Sequence, residues 1–250
     1  MQLAGKKIIV TGGAHGIAEA TVRAYVREGA TVASMDINDA SGEKVVKEAN
    51  AKGPGKAKYY HCDVSKRQQV FEIFAKAIAD MGGVDVLANV AGIAAPCMAE
   101  DITEEQMDRV IGVNLKGTMF TNQAVFKTMK DAGSGAIINY TSGAALIVTP
   151  WVADYGAAKA GVVAWTRQVA GVWGEYSIRV NCVSPNAETH PTPPGLEDEA
   201  ERLRQLVPLS KRRGDPDLDI APVMVFLASE ASRYMTGQIF SVDGGVCMVR

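Results

Sequence analysis

Thr11-Gly12-Gly13-Ala14-His15-Gly16-Ile17-Ala18 decides the fold. It stands between a short apolar run, Lys7-Ile8-Ile9-Val10-Thr11, and a helical segment over 17–28 that Gly29 ends. A strand, a glycine turn and a helix in that order open a βαβ unit. Glycine there allows a sharp turn and lets backbone N–H groups approach a pyrophosphate, which the helix N-terminus attracts. On glycine spacing alone, a plain strand-to-helix turn is an equal reading.

Outward from this turn the same alternation repeats. Further strands are expected over 31–36, 58–62, 84–88, 136–140, 178–183 and 238–242, with helices over 41–51, 67–81, 104–129, 154–175 and 222–229. Short apolar strands separated by helices signal a parallel sheet covered on both faces. The expected fold is therefore α/β, a doubly wound seven-stranded parallel sheet of Rossmann type. No linker, repeat or low-complexity block interrupts the 250 residues, so 1–250 reads as a single domain.

Composition excludes several classes. Lys plus Arg number 26 against 28 acidic residues, so the basic excess of a nucleic-acid binder is absent. No run of about 18 uncharged apolar residues exists to span a membrane. Met1-Gln2-Leu3-Ala4-Gly5-Lys6-Lys7 leads straight into a strand pattern rather than a signal peptide. Cys62, Cys97, Cys182 and Cys247 are far apart and read as free thiols in a reducing cytoplasm. His15, His61 and His190 are scattered, and no cluster has metal-ligand spacing.

Asp36 sharpens the glycine turn. It ends the second strand, 20 residues after Gly16, where a carboxylate accepts hydrogen bonds from the adenosine ribose hydroxyls. The same charge repels a 2′-phosphate and so favours NAD over NADP. His15 is placed to meet a phosphate, although imidazole is mostly neutral near pH 7. Further on, Tyr155 and Lys159 are one helical turn apart on one face. A nearby ammonium favours phenolate and draws a tyrosine toward working range. Ser142 follows the fifth strand, at the carboxyl end where such sheets bind ligands, and Asn114 is an amide inside a helical pattern, which points to a bound water or a kink. Taken singly, each has a bland alternative as a cap, a surface pair or a satisfied polar group.

Taken in order, Thr11-Gly12-x-x-x-Gly16-x-Ala18, Asp63-Val64, Asn89-Val90-Ala91-Gly92, Asn114, Ser142, Tyr155-x-x-x-Lys159 and Asp243-Gly244-Gly245 resemble the short-chain dehydrogenase/reductase family across nearly the whole chain. The resemblance implies Tyr155 as general acid/base, and Lys159 as the group that lowers the tyrosine pKa and holds the nicotinamide ribose. Ser142 would polarise the substrate oxygen, and Asn114 would hold a water of a proton relay. Gly12, Gly16 and Ile17 would surround the pyrophosphate, Asp36 the ribose, and Asp63 and Val64 the adenine. Asn89, Ala91 and Gly92 would line the cofactor cleft.

The segment after the sixth strand departs from the pattern. Where the family shows Pro-Gly and then a threonine at the fifth position, this chain has Pro185-Asn186 and His190. Thr189 takes the nicotinamide carboxamide position only with one residue fewer. Prolines 191, 193 and 194 would stiffen the start of a substrate lid around 187–213. Asn186 and His190 are alternative candidates for substrate recognition. By the same analogy Gly143, Ala144, Ile147, Trp151, Pro185, Asn186 and residues 196–206 lie near the substrate, and none is an Arg or Lys except within 196–206.

These features point to an NAD-dependent oxidoreductase acting on a neutral, fairly hydrophobic secondary alcohol or ketone. A carbonyl or 3-oxoacyl-thioester reductase using NAD(P)H is a second reading, and a nucleotide-binding protein without chemistry a third. The apolar long helices suggest a subunit interface, and family members are commonly homotetramers.

Overall fold

The computed structural model describes residues 1–189 and 197–248. Seven strands form one sheet: β1 (Lys7–Thr11), β2 (Thr31–Asp36), β3 (Lys56–His61), β4 (Val86–Asn89), β5 (Gly135–Tyr140), β6 (Ile178–Pro185) and β7 (Ile239–Val242). Their order is β3-β2-β1-β4-β5-β6-β7, and every pairing is parallel. The helices are α1 (Gly16–Arg27), α2 (Asp39–Lys52), α3 (Arg67–Met81), α4 (Glu104–Ile111), α5 (Gly117–Ala132), α6 (Ala153–Trp173), α7 (Glu197–Gln205) and α8 (Ala221–Ala228).

The strands are apolar almost throughout because both faces are covered. Ile8 and Val10 of β1 join a core with Val22 and Tyr25 of α1 and Met224 and Leu227 of α8. Ile9, between them, joins the opposite core with Phe74 of α3, Val125 and Met129 of α5, and Val169 and Trp173 of α6. Alternation along a strand thus feeds two cores, and burying each large apolar side chain contributes about 1.5–3 kcal/mol.

Several boundaries shift by one to three residues from the sequence expectation, β3 to Lys56–His61 and the end of β6 to Pro185 among them. Strand four begins at Val86, because Asp85 instead turns its carboxylate to accept from Lys7 N at 2.7 Å. The continuous helix expected over 104–129 is divided by a π-helical turn over Gly112–Lys116. At its centre Asn114 donates through Nδ2 to Val110 O at 2.9 Å, taking a carbonyl one turn back in the helix. The kink that a buried amide suggested is therefore present, and side-chain competition for a backbone carbonyl explains it.

Strand order reverses between β1 and β4, so the loops leaving their carboxyl ends diverge and leave a crevice there. The site occupies that crevice.

Candidate active site

A cavity of about 550 Å³ opens at the carboxyl ends of the strands. Its wall carries Gly12, His15, Gly16, Ile17, Asp36, Asp63, Val64, Ala91, Gly92, Tyr155, Lys159, Pro185 and Thr189, which bring the two sequence-predicted halves together. Three predicted residues stand behind or beside that wall: Asn89, Asn114 and Ser142.

The glycine turn is packed too tightly for side chains. Gly12 has φ +76°, and a Cβ there would lie 2.9 Å from Ala91 Cα. Gly16 has φ +57°, and its missing Cβ leaves room for Thr189, which would otherwise be 3.2 Å away. His15 occupies the N-cap of α1, and its side chain makes no cap bond to the first-turn amides. Asp36 is held from two sides: Oδ2 accepts from Ala14 N at 3.1 Å and Oδ1 from Asn38 N at 2.9 Å. Each carboxylate oxygen retains a lone pair. Asp63 Oδ1 accepts from Ser65 N and Ser65 Oγ, at 2.9 and 2.7 Å, which fixes the turn after β3.

The second half is built on α6. Asp154, 5 % exposed, accepts from Tyr155 N at 2.7 Å and from Gln106 Nε2 at 3.0 Å, fixing the helix start. Lys159 is 3 % exposed and donates to Tyr140 O at 3.0 Å, with Nζ 5.6 Å from the centroid of the Tyr155 ring. Thr141 Oγ1 donates to Lys159 O at 2.9 Å, so β5 holds the lysine at both ends. Burial lowers the Lys159 pKa to about 8, partly opposed by Cys182. Burial also holds the Tyr155 phenol above its ordinary value, and the Ser142 hydroxyl partly offsets this. Desolvation is the largest influence on the phenol, and the ammonium's own contact is the Tyr140 carbonyl.

Asn114, fully buried, donates to Ile93 O at 2.7 Å and accepts from Ile93 N at 3.2 Å. It reaches the lysine's surroundings across Gly92, where a Cβ would meet Asn114 Oδ1 at 2.7 Å and Lys159 Nζ at 3.2 Å. Asn89 is 3 % exposed and is not on the cavity wall. It accepts from Thr11 Oγ1 at 3.0 Å and donates to Asn139 Oδ1 at 3.3 Å, a bridge across β1, β4 and β5. Thr11 Oγ1 in turn accepts from Ala91 N at 3.2 Å, holding the loop that faces Gly12.

A family model described as "Enoyl-(Acyl carrier protein) reductase" matches residues 12–247. The 3-oxoacyl-(acyl-carrier-protein) reductase FabG of Thermotoga maritima is 38 % identical over 247 residues, covering 98 % of this chain and 99 % of the relative. The chain belongs to the short-chain dehydrogenase/reductase family. D-threitol dehydrogenase of Mycolicibacterium smegmatis is 36 % identical over 248 residues, covering 98 % and 94 %. The crystal structure of a short-chain type dehydrogenase/reductase from Mycobacterium marinum superposes with a TM-score of 0.91 at 32 % identity, covering 98 % and 96 %. The protein is thus an oxidoreductase of a family that uses a nicotinamide cofactor.

In this short-chain dehydrogenase/reductase the segment after β6 is tied down at its base. Asn186 N donates to Val242 O at 3.0 Å, Gly214 N to Asn186 O at 2.9 Å, and Arg213 Nε to Asn186 Oδ1 at 3.2 Å. Asn186 thus anchors the two ends of the 187–213 segment, while His190 and residues 191–196 lie outside the described residues. Sequence reasoning did not single out Ile37, Cys62, Ile93, Ala94, Val113 and Thr141, which also line the cavity. Their only sequence signal is position just past a strand end or opposite one on a helix. Among the described residues no group of three or more His, Cys, Asp or Glu could hold a metal, and no helix is long and apolar enough to cross a membrane.

The lysine gives a measurable pH effect. Its folded pKa, about 8, lies below the ordinary value of 10.5, so folding disfavours the charged form and its burial costs stability at neutral pH. Between those values the unfolded chain binds more protons, and this contribution to stability rises with pH. Relative to Lys159→Met, the wild type is expected to gain on the order of 1–3 kcal/mol between pH 8 and 10.5 in urea unfolding. A constant difference would show that the lysine is not buried as a charge.

Proposed function

We propose that the protein is an NAD-dependent secondary-alcohol dehydrogenase, acting reversibly on neutral, fairly hydrophobic alcohols and ketones. The observation that carries this reading is Asp36, Tyr155 and Lys159 on the wall of one cavity. The chain's own residues suit a dinucleotide. The glycine turn admits close approach, the first turn of α1 offers amides that the His15 side chain does not cap, and Asp36 keeps free lone pairs at the far end. Gly12, Gly16, Ile17 and His15 would hold the pyrophosphate, Asp63 and Val64 the adenine, Ala91 and Gly92 the cleft side, and Pro185 and Thr189 the nicotinamide. Asn89 supports the cleft from behind.

An oxidised nicotinamide held by these residues would supply the hydride acceptor for the carbinol carbon. Tyr155 takes the hydroxyl proton at its phenolate oxygen, and Ser142 steadies that oxygen by hydrogen bonding. Lys159, cationic below its pKa of about 8, adds positive charge beside the phenolate. Asn114 stands behind it, where the family pattern places a water of the proton relay. Support for an apolar substrate comes from two joined loops: Cys97 N donates to Trp151 O at 2.7 Å, and these loops expose Met98, Ile147, Val148 and Trp151. Residues 187–213 would close over them as a lid. The reading also includes a cytoplasmic homotetramer, supported by the exposed Val172 on α6 and Tyr234 near β7.

Asp36 provides the test. Steady-state rates are expected to favour NAD over NADP, and Asp36→Ala is expected to raise KM for NAD by about 10–100-fold while narrowing that preference. Equal or better rates with NADP in the wild type would refute the assignment. A second reading, reduction of a 3-oxoacyl thioester, is favoured by the 38 % identity to the Thermotoga relative. Efficient oxidation of NADPH by a 3-oxoacyl thioester would select it.

A further inference from the structure

The turn that carries Asp36 into the cavity has little packing of its own. Only residues 37 and 38 link β2 to α2, and Ile37 is 65 % exposed although it lines the cavity. Such a turn is held by hydrogen bonds or not at all. Besides the bonds from Ala14 N and Asn38 N to the Asp36 carboxylate, one holder comes from a different strand. Tyr59, on β3, places its hydroxyl 2.7 Å from Asp36 O and 2.7 Å from Asp39 Oδ1.

A phenol has one hydrogen, so the two acceptors share a single donor. Asp36 O also accepts the sheet bond from Cys62 N at 2.9 Å, and Asp39 Oδ1 meets His61 Nδ1 at 2.7 Å. The hydroxyl therefore pins the last residue of β2 to the first residue of α2. Burial, reinforced by Asp39, holds the Tyr59 phenol above its ordinary pKa, so the hydrogen stays on it. The ring has a dedicated seat as well. A Cβ on Gly42, buried in α2, would lie 2.2 Å from Tyr59 Cε2, so the aromatic edge rests directly on helix backbone.

We propose that Tyr59 is a positioning residue for the dinucleotide: its hydroxyl fixes the β2–α2 turn so that the Asp36 carboxylate meets the adenosine ribose. The proposal rests on the reading of Asp36 given above. Tyr59 is not itself on the cavity wall and reaches it only through Asp36, so it acts on binding and not on the chemical step.

Equilibrium titration of the full-length protein with NADH and with NADPH, followed by nucleotide fluorescence, tests it. Tyr59→Phe keeps the ring on Gly42 and removes only the hydroxyl. It is expected to weaken NADH by about five- to tenfold and NADPH by less than about twofold, with kcat at saturating NAD unchanged. The ratio of the two affinities is read in one preparation, so it does not depend on the fraction folded. Asp36→Ala, measured alongside, is expected to lose more NADH affinity than Tyr59→Phe. If Asp36→Ala weakens NADH and Tyr59→Phe does not, the Tyr59 proposal falls and the role of Asp36 stands. If neither variant affects NADH, both fall. An equal loss for NADH and NADPH in Tyr59→Phe overturns the proposal in favour of general disruption.

Discussion

Tyr155→Phe is expected to lower turnover by about 10²–10⁴-fold while leaving NADH affinity within about twofold of the wild type. The substitution keeps the ring, which fills its place on α6, and deletes the oxygen that exchanges a proton with the substrate. Neither the glycine turn nor Asp36 depends on that oxygen, so binding survives. The size of the loss follows from what remains. Ser142 still offers a hydroxyl and Lys159 a charge, but no group replaces a proton acceptor at the substrate oxygen. Burial that raises the phenol pKa also makes this site sensitive to pH: less phenolate is present near neutrality than for an exposed tyrosine with the same neighbours. Single-turnover rates with matched NADH titrations measure both arms. Near-normal turnover would remove Tyr155 from the chemistry.

Gly92→Ala is expected to reduce turnover on the order of 10²-fold, although it adds a single methyl group outside the reacting set. Gly92 does not occupy the left-handed region, so alanine meets no backbone strain there. The cost is steric. Its Cβ would lie 2.7 Å from Asn114 Oδ1, and Asn114 cannot step aside because Ile93 N, Ile93 O and Val110 O all hold it. The methyl also crowds Lys159 Nζ at 3.2 Å, which its one bond to Tyr140 O holds against displacement less firmly than Asn114 is held. Moving that ammonium away from the tyrosine misplaces the charge that supports the phenolate. Overpacking costs about 1–3 kcal/mol in stability, so kcat is compared at a temperature where both proteins are folded. Gly171→Ala, in the same helix as Tyr155 with nothing within 4 Å of the added methyl, serves as the control and is expected to be neutral. Equal kcat in wild type and Gly92→Ala would show that the lysine position is not critical.

The parts of the molecule that were legible in the sequence are those that local rules govern. Ile8, Ile9 and Val10 announce a strand buried on both sides, and the glycines after them announce the turn. Asp36 is readable because it ends a strand at a fixed distance from that turn. The break at Asn114 was readable only as an anomaly, since residues 104–129 keep a helical pattern through it and the competition for Val110 O is a tertiary event. The burial of Asn89 was not readable at all. Its partners, Thr11 and Asn139, come from neighbouring strands of the sheet, and register alone brings them together. Spacing placed Tyr155 and Lys159 on one face but could not show how dry that face is, and dryness controls both pKa values. The contact of Tyr59 with Asp36 likewise joins residues whose closeness only strand pairing creates.

The proposed transfer of hydride from a carbinol carbon, in the cavity shared by Asp36, Tyr155 and Lys159, has a direct test. Incubation of the wild-type protein with NAD and a panel of neutral secondary alcohols deuterated at the carbinol carbon tests it, with the reduced dinucleotide read by mass spectrometry. Deuterium is expected in NADH from at least one alcohol, and about 10²–10⁴-fold less per unit time when Tyr155→Phe replaces the wild type. Tight NADH binding with no label transferred from any alcohol would contradict it.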